Sequence, residues 1–197
     1  MKDGTAEDRS GLTDEELVGR ILAGQEDDFG VLVRRYQSRV HAHVGRMVGN
    51  RDDALDLSQE IFLKVFGALS RYNPTYKFST WLFRIASNAA IDHLRKRRPR
   101  TVPLETKDAD GGVSSLEYKS PDLDPYGELR NLERGSAILR AITALPAEFR
   151  ELIALRHFGG LSYEEIADVK QMPLGTVKNK LFRARAVLKE RLSEELS

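Results

Sequence analysis

The 197-residue chain contains no cysteine. That absence removes disulfides, thiolate zinc sites and a cysteine nucleophile together, and it points to a cytoplasmic compartment. Apolar runs are only a few residues long, so none has the length that spans a bilayer. The N-terminal stretch MKDGTAEDRSG is polar and acidic and lacks the apolar core of a secretory signal. No glycine-rich phosphate loop and no nucleophile motif occurs. His41 and His43 lie two residues apart, so they point to different sides of a helix and make a poor metal pair. His93 and His157 are isolated, and each histidine reads as a surface or interface group. No strand signal appears. These absences exclude most enzyme classes, a metal centre and a β architecture, and they leave no cofactor to hold.

What remains is a helix-forming, core-building composition, 41% hydrophobic and 31% charged. The net charge of +1 conceals strong local bias. Leu94–Arg100 reads LRKRRPR, five basic residues in seven, whereas Glu105–Glu128 holds seven acidic residues against Lys107 and Lys119. Alternation of this kind directs a polyanionic partner to particular faces.

The stretch Leu161–Leu192 carries the most information. Ser162 and Glu165 have the spacing of a capping box, and Leu161 and Ile166 that of a hydrophobic staple. A first helix is expected to stop near Met172-Pro173, and a second to run from about Leu174 past Arg185. In the second, Val177, Leu181, Ala184 and Leu188 form one apolar stripe. Lys178, Asn179, Phe182 and Arg183 fall opposite. The plainer alternative is a helical hairpin with a solvated basic face, and a core does not account for a phenylalanine among those groups. A DNA major groove does: arginine reads guanine, asparagine reads adenine, and an apolar group meets a thymine methyl. The spacing predicts a helix-turn-helix with the second helix as reader.

The N-terminal half repeats the grammar. Thr13 and Glu16 form a second box, with Leu12 stapled to Leu17. A helix from about Asp27 carries Phe29, Leu32, Val33, Tyr36, Val40, Val44, Met47 and Val48, and Gly49-Asn50 ends it. The next helix, from Asp53, buries Ala54, Leu57, Ile61, Phe62, Val65 and Phe66 and turns Asp56, Gln59, Glu60 and Leu63 outward. Then comes the aromatic and basic segment Arg71–Phe78, after which Ser79 is expected to cap a helix stapled by Phe78 and Phe83. Trp81 is assigned to the core. Tyrosines, an asparagine and a lysine beside a basic helix end suit single-stranded nucleic acid, where stacking contributes ~1–3 kcal/mol per base. Asn131 or its neighbours open a helix with Leu132, Ile138, Leu139 and Ile142, and Pro146 opens another. The organisation expected is all-α: a disordered tail 1–11, a helical unit 12–98, a flexible acidic linker 99–130, and a second unit 131–197.

With these residues in view, the chain resembles a bacterial RNA polymerase sigma factor of the extracytoplasmic-function (ECF) group. The landmarks are Asp56–Phe62, Phe78–Asn88, Asp92–Arg95, Leu145-Pro146, Leu161–Ala167, Gly175–Lys178 and Arg183–Arg185, in this order. The resemblance implies sigma regions 2 and 4 joined by the linker, and transcription initiation rather than catalysis. It implies that Asp56, Gln59, Glu60 and Leu63 dock on the clamp helices of core RNA polymerase, with further contact at the flap region. Tyr72, Asn73, Tyr76, Lys77, Phe78, Asn88, Arg95 and Arg98 would engage the −10 promoter DNA, where a base is flipped from the non-template strand. Thr176, Lys178, Asn179, Phe182, Arg183 and Arg185 would read the −35 element. A cognate anti-sigma factor and a stress or envelope response are implied as well. Many members have a glycine just before the phenylalanine at 78, whereas this chain has Tyr76-Lys77, so no −10 base preference carries over. The competing reading is a stand-alone two-domain helix-turn-helix regulator that binds DNA unaided.

Overall fold

The computed structural model describes residue 9, residues 11–97 and residues 135–195. Most of the expected tail, the linker 99–130, Arg98, Asn131 and Leu132 lie outside the described residues. Within them every regular element is helical: α1 Asp14–Leu22, α2 Phe29–Val48, α3 Arg51–Gly67, α4 Phe78–Arg97, α5 at 135–143, α6 Ala147–His157, α7 Tyr163–Lys170 and α8 Leu174–Glu195. The all-α expectation holds.

Local signals set most boundaries. The Thr13 hydroxyl accepts from the Glu16 amide at 3.2 Å, while Glu16 accepts from the Thr13 amide at 2.7 Å. Ser162 and Glu165 repeat the exchange at 3.1 and 2.7 Å. Such caps contribute ~1 kcal/mol each. Helix α2 ends on Gly49 at φ 73°, and the Asn50 side chain then caps α3 by accepting from the Asp53 amide at 3.0 Å. Two boundaries differ from expectation. The Trp81 amide already bonds to the Lys77 carbonyl at 3.3 Å, so α4 begins at Phe78 and Ser79 lies inside its first turn. Helix α7 stops at Lys170 because Gln171 turns left-handed at φ 50°, two residues ahead of Pro173.

Burial corrects several assignments. Phe66 is 38% exposed and meets Phe29 edge-on at 5.0 Å, and Phe62 is half-buried. Trp81 is half-buried against Tyr72 and Phe78 rather than enclosed. Ile138 is exposed, because α5 turns Ala137, Leu139, Ala141 and Ile142 inward instead. His43 is no surface group: it is fully buried, with Nε2 3.1 Å from Ser87 Oγ.

The larger surprise is how the two groups of helices meet. Leu32, Val40, Phe83 and Ala90 of the first group share one continuous apolar core with Ile142, Leu152, Ile153 and Leu161 of the second. Helix α2 packs on α6, and α4 on α7. A second group of this size would bury little surface alone, and here it leans on its neighbour.

Candidate nucleic-acid interface

Three exposed surfaces carry the residues singled out above. The first is the outer face of α3. Asp56, Gln59, Glu60 and Leu63 are all exposed there, and Leu63 is 73% exposed. Lys64 pairs with Glu60 at 2.8 Å, one turn on, and its hydrogen bond holds the Glu60 carboxyl below the usual range. Sequence reasoning missed Leu55, which is 52% exposed one turn before Gln59. The available signal was its position: it falls off the apolar stripe on the same side as Leu63. Two bare leucines framed by acids form a surface suited to protein rather than to DNA.

The second surface is the loop before α4. The Tyr72 hydroxyl donates to the Tyr76 carbonyl at 2.6 Å and lies 3.5 Å from Glu15 Oε1. Burial, with the Glu15 charge beside it, pushes the Tyr72 phenol up to about 12. The Asn73 side chain accepts from the Thr75 amide at 3.0 Å, an Asx turn that fixes the loop tip. Tyr76 and Lys77 stand exposed, and Lys77 Nζ is 3.0 Å from Glu165 Oε1. Phe78 does not belong on this face. It is 1% exposed, packed edge-on against Tyr36 and Tyr72 at 5.6 and 5.7 Å, and it holds the loop from beneath. Along α4, Trp81, Asn88 and Arg95 recur at sevens and so share one face. Asn88 and Arg95 are exposed, Arg95 being paired with Asp92 at 2.9 Å. Arg98 lies outside the described residues. Arg84, absent from the expected set, reaches over the Tyr76 ring at 6.0 Å.

The third surface is α8. Val177, Leu181 and Ala184 are buried, whereas Lys178, Asn179, Phe182 and Arg183 point to solvent. Phe182 is 75% exposed among these polar groups. Thr176 is half-buried in the first turn of α8. Arg185 is exposed and donates to the Tyr163 hydroxyl at 2.7 Å, which fixes it beside α7. From Thr176 to Arg185 the helix rises ~14 Å, enough to lie across a major groove. Among the described residues no cluster of histidine and carboxylate could hold a metal, and no helix is long and apolar enough to cross a membrane.

Residues 32–100 match the model of sigma-70 region 2, and residues 136–188 match that of sigma-70 region 4. The ECF RNA polymerase sigma-E factor of Escherichia coli (strain K12) is 37% identical over 179 residues, 90% of this chain and 93% of its own. The chain belongs to the ECF sigma factors. The RNA polymerase sigma-H factor of Pseudomonas aeruginosa is 36% identical over 181 residues, covering 91% of this sigma factor and 93% of that protein. Among solved structures, CnrH in complex with the cytosolic domain of CnrY superposes with a TM-score of 0.68 at 25% identity, over 92% of this chain and 97% of that one. The sigma factor RpoE of Bartonella quintana, in complex with the anti-sigma factor NepR, gives 0.65 at 26% identity, over 84% and 97%. In this sigma factor the region 2 match takes in most of α2 and all of α3 and α4, and the region 4 match spans α6, α7 and most of α5 and α8.

Proposed function

We propose that this ECF sigma factor brings core RNA polymerase to promoters by dividing the work among its three surfaces. Asp56, Gln59, Glu60, Leu63 and the neighbouring Leu55 on α3 dock on the polymerase clamp helices. Tyr72, Asn73, Tyr76, Lys77, Asn88 and Arg95 take up the melted −10 strand, with Phe78 supporting them from the core. The exposed face of α8 reads the −35 duplex, and region 4 meets the flap. Domain limits near 12–98 and 131–197 follow the same division. Cytoplasmic residence and control by a cognate anti-sigma factor complete the reading. The relatives' structures bound to CnrY and NepR support the last point by analogy.

One observation carries this reading. A single chain presents a duplex-reading helix with bare Phe182 beside Arg183 and, on a separate element, an aromatic loop backed by an exposed asparagine. Duplex DNA fits the first and unstacked bases fit the second. Capturing an extruded base offsets the few kcal/mol that unstacking costs.

The test is run-off transcription with purified core enzyme and a library of genomic fragments. Discrete transcripts sharing two upstream elements are expected. An Asn88→Ala protein should bind core normally yet leave start-site thymines unreactive to permanganate. Tight, site-specific DNA binding by the protein alone, with no association with core enzyme, would replace this reading with the stand-alone regulator.

A further inference from the structure

Helix α6 holds both helices of the helix-turn-helix from behind, through two carboxylates one turn apart. Glu151 accepts from Lys170 Nζ at 2.6 Å, and Lys170 is the last residue of α7. Glu148 pairs with Lys180 in the second turn of α8. The two ion pairs therefore straddle the turn at 171–173. There Gln171, left-handed at φ 50°, sets the angle at which α8 leaves α7.

Apolar contact alone does not fix that angle. Leu152 and Leu155 of α6 share a core with Ile166 of α7 and with Val177 and Leu181 of α8. Such burial is non-directional, so a helix can roll or slide with little change in the area removed from water. A short ion pair is directional. Glu151 is only 3% exposed, and its second oxygen, Oε1, is buried without a hydrogen-bond partner. An ion pair enclosed in this way adds little net stability, because desolvation offsets the attraction, and apolar residues of similar volume would hold the helices as firmly. What the pair adds, and leucine would not, is one fixed register. Glu148 is exposed by comparison and lies in the first turn of α6, where the positive end of the helix favours a carboxylate.

We infer that Glu148 and Glu151 are positioning residues for upstream promoter recognition, touching no DNA but setting the angle at which α8 enters the groove. The inference rests on the assignment of α8 to the −35 duplex. Base readout tolerates little displacement, since Asn179 and Arg183 must meet donor and acceptor atoms on base edges at hydrogen-bond distance. Contacts to phosphate carry no sequence information and survive a small roll. A loosened clamp thus costs discrimination before it costs affinity.

Full-length Glu151→Leu/Lys170→Met protein, assembled with core enzyme, tests this. Its thermal melt should match or exceed that of the unaltered protein. Preference of the holoenzyme for a matched over a scrambled −35 duplex should fall by about tenfold, the contribution of one base-specific contact. A variant that melts normally and keeps the full preference overturns the inference. The exposed pair gives a second reading with the core intact. Glu148→Lys alone should relax the preference several-fold, and the exchange Glu148→Lys/Lys180→Glu should restore it. Unchanged preference in the single variant, or no recovery in the exchange, overturns the inference. Amide exchange in the free protein reads the clamp without a promoter. The Met172 amide, bonded to the Ala167 carbonyl at 3.1 Å, should exchange faster in Glu148→Lys and in the apolar variant. A turn that loosens in this way, in a protein whose unaltered holoenzyme prefers no upstream sequence, would uphold the clamp and overturn the promoter reading instead.

Discussion

The Tyr72 hydroxyl donates to the Tyr76 carbonyl at 2.6 Å, closing the aromatic loop on itself. The edge-on contact with Phe78 and the tilted contact with Trp81 would survive in Tyr72→Phe, and the tie would not. Stability should fall by only ~0.5–1.5 kcal/mol, the net contribution of one hydrogen bond. Open-complex formation should slow while core affinity is unchanged, as read by permanganate reactivity and by competition binding. Unaltered opening kinetics would show that the tie does not position the loop.

Asp56 and Leu63 project from the same outer face of α3, one charged and one 73% exposed. Asp56→Lys, or Leu63→Glu, should abolish or strongly weaken binding to core polymerase without altering the thermal melt, since neither side chain packs inside. Competition against a second sigma factor measures this. Unchanged competition by both variants would remove α3 as the docking face.

Arg183 lies exposed one residue beyond the bare Phe182. Arg183→Ala should cost ~1–3 kcal/mol at the upstream element and relax preference there. Fluorescence anisotropy of the holoenzyme on matched and scrambled duplexes tests it. An equal loss on both would reduce Arg183 to a phosphate contact.

His43 is fully enclosed, and burial pushes its pKa down to about 4, with the Ala154 backbone pulling partly the other way. An unfolded histidine titrates near 6.5, so below that pH the unfolded chain takes up a proton that the folded protein refuses. Stability is thus complete above about pH 6.5 and is lost progressively as pH falls towards 4. The loss at pH 5 is on the order of 2 kcal/mol, or roughly 4–8 °C in Tm. His41 and His157 are lowered too, first by burial and then by neighbouring arginines, and they add with the same sign. Thermal melts at pH 7.5 and pH 5 should show this drop, and His43→Leu should reduce it. A wild-type Tm that is flat across that range would contradict the assignment.

The parts of the fold legible in the sequence are those whose partners are near neighbours along the chain. Both capping boxes and the two-faced α8 each depend on contacts within a few residues. Their spacing alone predicts them. The docking of the halves was not legible, because Arg39, Arg84 and Arg150 bond to main-chain oxygens 84–120 positions away. A backbone carbonyl leaves no side-chain signature, so those arginines read as ordinary surface charge. Phe78 misled for a related reason. Composition marks an aromatic-rich loop as a stacking platform, but only tertiary packing decides which ring faces inward. His43 read as a surface or interface group because its enclosing partner, Ser87, lies on another helix.

Glu165 accepts from the Ser162 amide at the start of α7 and also pairs with Lys77 of the loop. Burial pushes its carboxyl up, but the Ser162 amide and Lys77 bring it net below the usual range. One side chain is thereby answerable to two structures, the onset of a helix in one half and a latch to the other. A change at that position would therefore disturb both at once.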